Sequence, residues 1–164
     1  MPRDPDVDAL IQQLGHPSYA VRVRARENLE RMGLQAFDYL HEAQFHSDSE
    51  IVMTARYLVG SLMVSWSTDT DPAAVREALD EYGAQSDAER QNRMDRLAEL
   101  PGRQGLAALA RLVRFETSLR LSREAALAIM RGPMSEDEAV RRGEASTIRE
   151  VLGSNTRQAS DWLR

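Results

Sequence analysis

SYAVRVRARENLERMG, residues Ser18 to Gly33, is the stretch on which the fold turns. Wound at about 100° per residue, it sets Val21, Ala25, Leu29 and Met32 within a quarter turn of one another. That is an apolar stripe at helical spacing. Ser18 is placed to cap the start, and Gly33 to take the left-handed turn that ends the helix. Arg22 and Arg26 flank the stripe on one side, Arg24 and Arg31 on the other, and Glu27 precedes Arg31 by one turn. The small Ala25 in mid-stripe lets a second helix approach closely.

The rest of the chain carries the same signature. A short first helix, Asp4 to Leu14, precedes this one, and Leu34 to Phe45 follows with Ala36, Phe37, Leu40 and Ala43 inward. EIVMTARYLVGSLMVSW, residues 50–66, is the most apolar stretch. A Ser47–Glu50 capping box opens it, Ile51, Ala55, Val59 and Leu62 form its stripe, and Leu58, Met63 and Trp66 widen it. It is expected to be covered on two sides and to lie at the centre of the core. Asp71-Pro72 reads as an N-cap before a helix ending at Tyr82-Gly83. Ser86 and Glu89 form a second box, and Ser135 and Glu138 a third. Arg103 to Glu116 carries Leu106, Leu109, Leu112 and Val113, and the next helix carries Leu121, Ala125 and Ile129. Gly143 is expected to weaken a polar helix running to Leu152. After Gly153-Ser154 a last helix holds Ala159, Trp162 and Leu163, with Trp162 awaiting a further helix to cover it.

A shift of 68 residues overlays Ile11 on Leu79, Leu14 on Tyr82, Gly15 on Gly83, Ser18 on Ser86, Leu29 on Leu97 and Met32 on Leu100. By the fourth helix the shift is 70, and Ile51, Ala55 and Val59 fall on Leu121, Ala125 and Ile129. The chain therefore reads as a duplicated four-helix unit. Each unit divides into two helix pairs, the spacing of stacked helical repeats. Residues 4–66 hold pairs 1 and 2, residues 71–131 pairs 3 and 4 of the same domain, and residues 135–164 a truncated C-terminal helical extension.

Val21-Arg22 with Ala25 and Leu29, then Gly33 with Ala36 and Leu40, then Asp48 to Glu50 with Ile51, Ala55 and Leu58, resembles HEAT-type repeats. The resemblance covers residues 6–65 and, more loosely, 72–130, where Arg93 stands in the place of Ala25. It implies an all-α, right-handed solenoid of stacked antiparallel helix pairs, about four and a partial fifth. It also implies a concave surface lined by the second helix of each pair, used to hold a protein partner or, less often, nucleic acid.

Composition narrows the function classes. Leu, Ala, Arg and Glu dominate, aromatics make up 5% of the chain, and cysteine is absent, which removes disulfides and thiolate chemistry. No apolar run has the length of a membrane span, and MPRDPDVD lacks the apolar core of an export signal. A soluble chain is expected, its compartment open. All 21 basic residues are arginine, against 26 carboxylates and a net charge of −5. That balance argues against a surface shaped throughout for nucleic acid.

Catalytic patterns are missing from the sequence: there is no nucleophile elbow, phosphate loop or dinucleotide fingerprint. His41-Glu42-x-x-x-His46 is one residue too long to set both histidines on one helical face, so a zinc site is not expected. No cofactor, metal or catalytic residue is assigned. Arg90, Arg93 and Arg96 run along one flank of the sixth helix and Arg24 and Arg31 along the second. Together they form a candidate basic stripe, interleaved by Glu27, Glu30, Glu89, Asp95 and Glu99. The reading is a monomeric, non-catalytic protein-interaction or scaffold module, the front part of a longer protein. The alternative is a nucleic-acid-binding HEAT-like module, in the manner of HEAT-like DNA glycosylases, using the Arg stripe.

Overall fold

A computed structural model describes residues 4–133, 135–153 and 155–164, and every regular element among them is helical. Residues 1–3 of the N-terminal stretch and Ser154 of the last break lie outside the described residues. The chain divides into two compact units, Met1–Val64 and Ser65–Arg164.

The first unit holds α1 (Pro5–Gln13), α2 (Tyr19–Met32), a 3-10 turn (Gly33–Ala36), α3 (Phe37–Ala43) and α4 (Ser49–Ser61). α1 packs on α2 and α3, α3 packs on α4, and α2 touches α4. Ala25 and Leu29 have no exposed surface, and Val21 and Met32 are half-buried at the edges of the stripe. Val7, Ile11, Leu14, Phe37, Leu40, Ile51, Ala55 and Leu58 complete this core. Each large side chain so buried stabilises the fold by about 1.5–3 kcal/mol.

Helix starts depart from the sequence expectations in a consistent way. Ser18 has the extended backbone of an N-cap but makes no side-chain cap; its own N–H instead donates to His16 Nδ1 at 3.0 Å. The same turn recurs at α4, where Asp48 N–H donates to His46 Nδ1 at 3.0 Å. Asp48, not Ser47, caps α4, accepting from Glu50 N–H at 2.8 Å and Ile51 N–H at 3.4 Å. A carboxylate outcompetes a hydroxyl for helix N–H groups. Asp137 likewise displaces Ser135 at the start of α9.

α4 ends at Ser61, five residues short of the expected Trp66. Gly60 and Ser61 are weak helix formers, and Ser61 Oγ donates to the Leu58 carbonyl at 2.9 Å, offering that group a partner outside the helix ladder. Met63 is left 90% exposed, so it does not widen the stripe.

The second unit holds α5 (Ala73–Ala78), a 3-10 turn (Tyr82–Ala84), α6 (Asp87–Glu99), a 3-10 turn (Pro101–Arg103), α7 (Leu106–Phe115), α8 (Leu119–Arg131), α9 (Glu138–Leu152) and α10 (Gln158–Asp161). α7 is the central element, packing on α6, α8, α9 and α10 with Leu106, Ala108, Leu109, Ala110, Leu112 and Val113 buried. The expectation that α4 would be the centre of the core gives way to that arrangement; Met53 and Tyr57 of α4 are exposed.

Asp71 does not cap α5, because its carboxylate is taken by Thr68 N–H at 2.7 Å and by Arg111; Pro72 stands at the cap instead. α5 stops at Ala78, and Glu81 turns left-handed before the 3-10 turn. α7 starts at Leu106, not Arg103, because Gly102 and Arg103 both have positive φ. Gly105 lies against α6, where a Cβ would overlap the Leu97 carbonyl. α9 continues through Gly143. Ser86 Oγ accepts Glu89 N–H at 3.3 Å, half of the expected box, while the Glu89 carboxylate turns to arginines. Trp66 is partly buried against Tyr82, with ring centroids 5.0 Å apart, and Trp162 is 40% exposed.

The internal spacing persists in the helix bounds. α6 starts at Asp87, 68 residues after α2 starts at Tyr19, and α8 starts and ends 70 residues after α4.

Candidate functional site

The candidate arginines fall in different surroundings. Arg24 and Arg31 belong to the first unit and are exposed on α2. Arg31 donates to Asn28 Oδ1 at 3.2 Å, and Arg24 meets no acceptor among the described residues. Arg90, Arg93 and Arg96 belong to the second unit and lie together on α6, each engaged within the fold.

Arg90 Nε donates to the Gln85 carbonyl at 3.1 Å and Nη2 to the Gly83 carbonyl at 2.6 Å, while Nη1 reaches Glu116 Oε1 at 3.1 Å. Its guanidinium also stands 5.5 Å from the centre of the Tyr82 ring. Glu116 has no exposed surface, and its Oε2 accepts the Tyr82 hydroxyl at 3.0 Å. Burial, then the adjacent Glu116 charge, pushes the Tyr82 phenol far above its ordinary value of 10.

Arg93 and Arg96 share Glu89 Oε1 at 3.1 and 3.0 Å, and Arg93 Nη1 also reaches the carbonyls of Ala78, the last residue of α5, and of Asp80 just after it. Hydrogen bonds from Arg93 and Asn92 hold the Glu89 carboxyl below its ordinary value. Arg93, 68 residues after Ala25, thus satisfies carbonyls that the end of α5 leaves without helical partners.

This use of arginine recurs. Arg22 serves the His16 and Pro17 carbonyls at 2.9 and 3.1 Å, and Arg103 serves Ile129 and Pro133 at 2.9 and 3.2 Å. Arg111 serves Trp66 at 3.2 Å, Arg141 serves Ser135 and Glu136 at 2.9 and 2.8 Å, and buried Arg157 reaches Val113 and Glu116. A planar fork of five donors on a long stem suits clustered loop carbonyls, and lysine cannot reproduce it.

The histidines are accounted for in the same terms. His41 is buried between Phe37 and Phe45, with ring centroids 6.1 Å away on either side, and His16 and His46 each accept a helix-start N–H. Among the described residues no group of three or more His, Asp or Glu is arranged to hold a metal ion, and no helix is long and apolar enough to cross a membrane.

The surface that stands out chemically is one the sequence reading passed over. α2 and α4 lie side by side and run in the same direction: Arg22 meets Glu50 at 3.9 Å, and one turn further on Arg26 lines a shallow groove with Glu50, Met53, Thr54 and Tyr57. The groove is about 240 Å³. Of its lining residues, Met53 and Tyr57 are 70% and 62% exposed; Tyr19 on α2, also exposed, has the Arg22 guanidinium 5.6 Å from its ring centre. Met53 and Tyr57 sit opposite the buried stripe of their helix, where a solvated helix carries polar residues. Their position is the signal that would have found them: each is about half a turn from Ala55 on the helical wheel. Charges on this face cancel, Arg22 against Glu50 and Arg26 against Glu30 at 3.6 Å.

Comparison of the chain with protein-family models, with curated proteins and with solved structures finds no match in any of the three.

Proposed function

We propose that the chain is a non-catalytic protein-interaction module built of HEAT-type helix pairs. Its holding surface is the joint face of α2 and α4, the second helices of the first two pairs. The observation that carries this reading is the exposure of Met53 and Tyr57 in one groove. Rigid aromatic and methionine side chains are the residue types that anchor protein interfaces. Arginines at the groove rim add stems and donors without a net field, because each has a glutamate beside it.

The alternative, a nucleic-acid groove, needs a row of guanidinium groups turned to solvent. On α6, Arg90 and Arg93 hold Glu116, Glu89 and loop carbonyls, and releasing them would cost the fold those bonds, so of its three candidate arginines only Arg96, 60% exposed, is turned to solvent. The protein-holding face is therefore the better supported reading.

Photo-crosslinking from the face is the test. With Tyr57→benzoylphenylalanine in the full chain, irradiation is expected to yield a covalent protein adduct that Met53→Glu removes. Adducts from a control position on α9, Glu138, with none from position 57, would overturn the assignment.

A further inference from the structure

We propose that the second unit carries a binding site for a small organic cation, an amine or guanidinium on an apolar body. The site is a cavity of about 760 Å³ bounded by the end of α6, the Pro101–Arg103 turn, the end of α8 and the first turns of α9. That volume falls in the range of small-molecule sites. The cavity belongs to the second unit and the α2–α4 face to the first, and neither reading depends on the other.

Arg103 braces the cavity. Its backbone lies in the left-handed region at φ 53°, directly after Gly102 at φ 61°, a conformation that strains a residue with a Cβ and persists only where the surroundings hold it. The guanidinium supplies that hold. It donates to the Ile129 and Pro133 carbonyls at 2.9 and 3.2 Å and pairs with Glu144 of α9 at 3.4 Å. One side chain thus ties the turn after α6 to the end of α8 and to α9, so the space between them is formed before any ligand arrives. Ala98, Leu100, Ala128 and Val140 give its walls an apolar character, and Val140 is 46% exposed.

Charge selects the ligand. Glu99 is the last residue of α6 and Arg131 the last of α8, and both line the cavity, so two helices bring their partially negative C-terminal ends to it. Asp95, one turn before Glu99, lines it too; both carboxylates are exposed, and neither has a partner among the described residues. At this place on α6 they oppose the helix dipole, and at this spacing they repel each other. The fold makes no use of the two charges, whereas a bound cation does. Arg103 is engaged by Glu144 and the carbonyls, which leaves Arg131 as the one unpaired guanidinium of the lining among the described residues. Two unpaired carboxylates and two helix ends outweigh it. An anion is disfavoured, and a cation with an apolar body matches both the charge and the walls.

The test is titration of the full chain with phenylbutylamine, and with phenylbutyrate as an anion of similar length, followed by amide NMR shifts. The amine is expected to shift and saturate amides of residues 95–103, 128–133 and 140–144, and the butyrate to leave them in place. Asp95→Asn with Glu99→Gln removes two exposed, unpaired charges without touching the core, and is expected to weaken amine binding at least about fivefold. Arg131→Gln removes the opposing charge and is expected to tighten it about twofold. No saturable shift, shifts confined to other residues, or equal binding of amine and butyrate would each overturn the proposal. So would a double variant that holds the amine as tightly as the unaltered chain, or an Arg131→Gln chain that no longer holds it.

Discussion

Arg90 Nη1 stands 3.1 Å from Oε1 of Glu116, a carboxylate with no exposed surface. The pair joins α6 to the end of α7, and the Tyr82 hydroxyl and Ser118 N–H complete the shell of the carboxylate at 3.0 and 3.3 Å. Burial of an ion makes its partners indispensable. Glu116→Ala leaves Arg90 without its anion and is expected to cost about 3–5 kcal/mol. Urea unfolding followed by circular dichroism reads the loss.

Arg93→Lys tests the assignment of arginine to loop carbonyls. Lysine keeps the charge but not the fork that joins Glu89 to the Ala78 and Asp80 carbonyls. With one or two bonds lost at about 1 kcal/mol each, the variant is expected to be less stable by about 1–2 kcal/mol. Arg24→Lys, at a side chain with no acceptor among the described residues, is expected to leave the urea midpoint unchanged.

Tyr82 fixes the alkaline limit of stability. Its phenol is raised above 10 in the folded chain by burial and by Glu116. The unfolded chain gives up that proton first, so the contribution is complete below pH 10 and is lost as pH rises beyond it. Spectrophotometric titration is expected to show one of the four tyrosines ionising only as the chain unfolds. In Tyr82→Phe that late step disappears.

Glu89 works in the opposite direction. Its carboxyl is lowered by hydrogen bonds from Arg93 and Asn92, so its contribution is present above the ordinary glutamate value of 4.5 and fades as pH falls below it. Stability measured across the acid range is expected to fall less steeply in Glu89→Gln than in the unaltered chain.

Gly105 is where α6 and α7 come closest. A Cβ there would overlap the Leu97 carbonyl, a backbone atom that cannot swing aside. Gly105→Ala is expected to destabilise the second unit by about 1–3 kcal/mol, the usual range for overpacking. Gly60→Ala, with nothing within 4 Å of the added carbon, is the matched control in thermal denaturation.

Much of the helical framework was legible because it depends on local spacing. Ala25 with Leu29, Ile51 with Ala55 and Val59, and Leu121 with Ala125 and Ile129 are all buried, as their periodicity requires. The starts of α4 and α9 were legible to within a residue or two, since neighbouring acceptors compete: Asp48 prevails over Ser47 and Asp137 over Ser135; α3 and α7 each start three residues later than expected, after a 3-10 turn. The end of α4 was not, because an apolar run resembles a continuing helix until Ser61 bonds backward to Leu58.

The arginines were the harder problem. Glu116 lies far along the chain from Arg90, and the carbonyls that Arg93 and Arg103 serve leave no mark in composition. A stripe at helical spacing gives the same sequence pattern whether its guanidinium groups face solvent or clamp loops. The apolar face of α2 and α4 was written in the sequence, in Met53 and Tyr57 set opposite a buried stripe.

Hydrogen–deuterium exchange of the full chain, alone and with the protein captured through position 57, tests the central claim most directly. The account predicts slowed exchange on α2 and α4, over residues 19–30 and 50–57, and little change on α6. Protection confined to residues 87–99 of α6, with α2 and α4 exchanging as before, would contradict it.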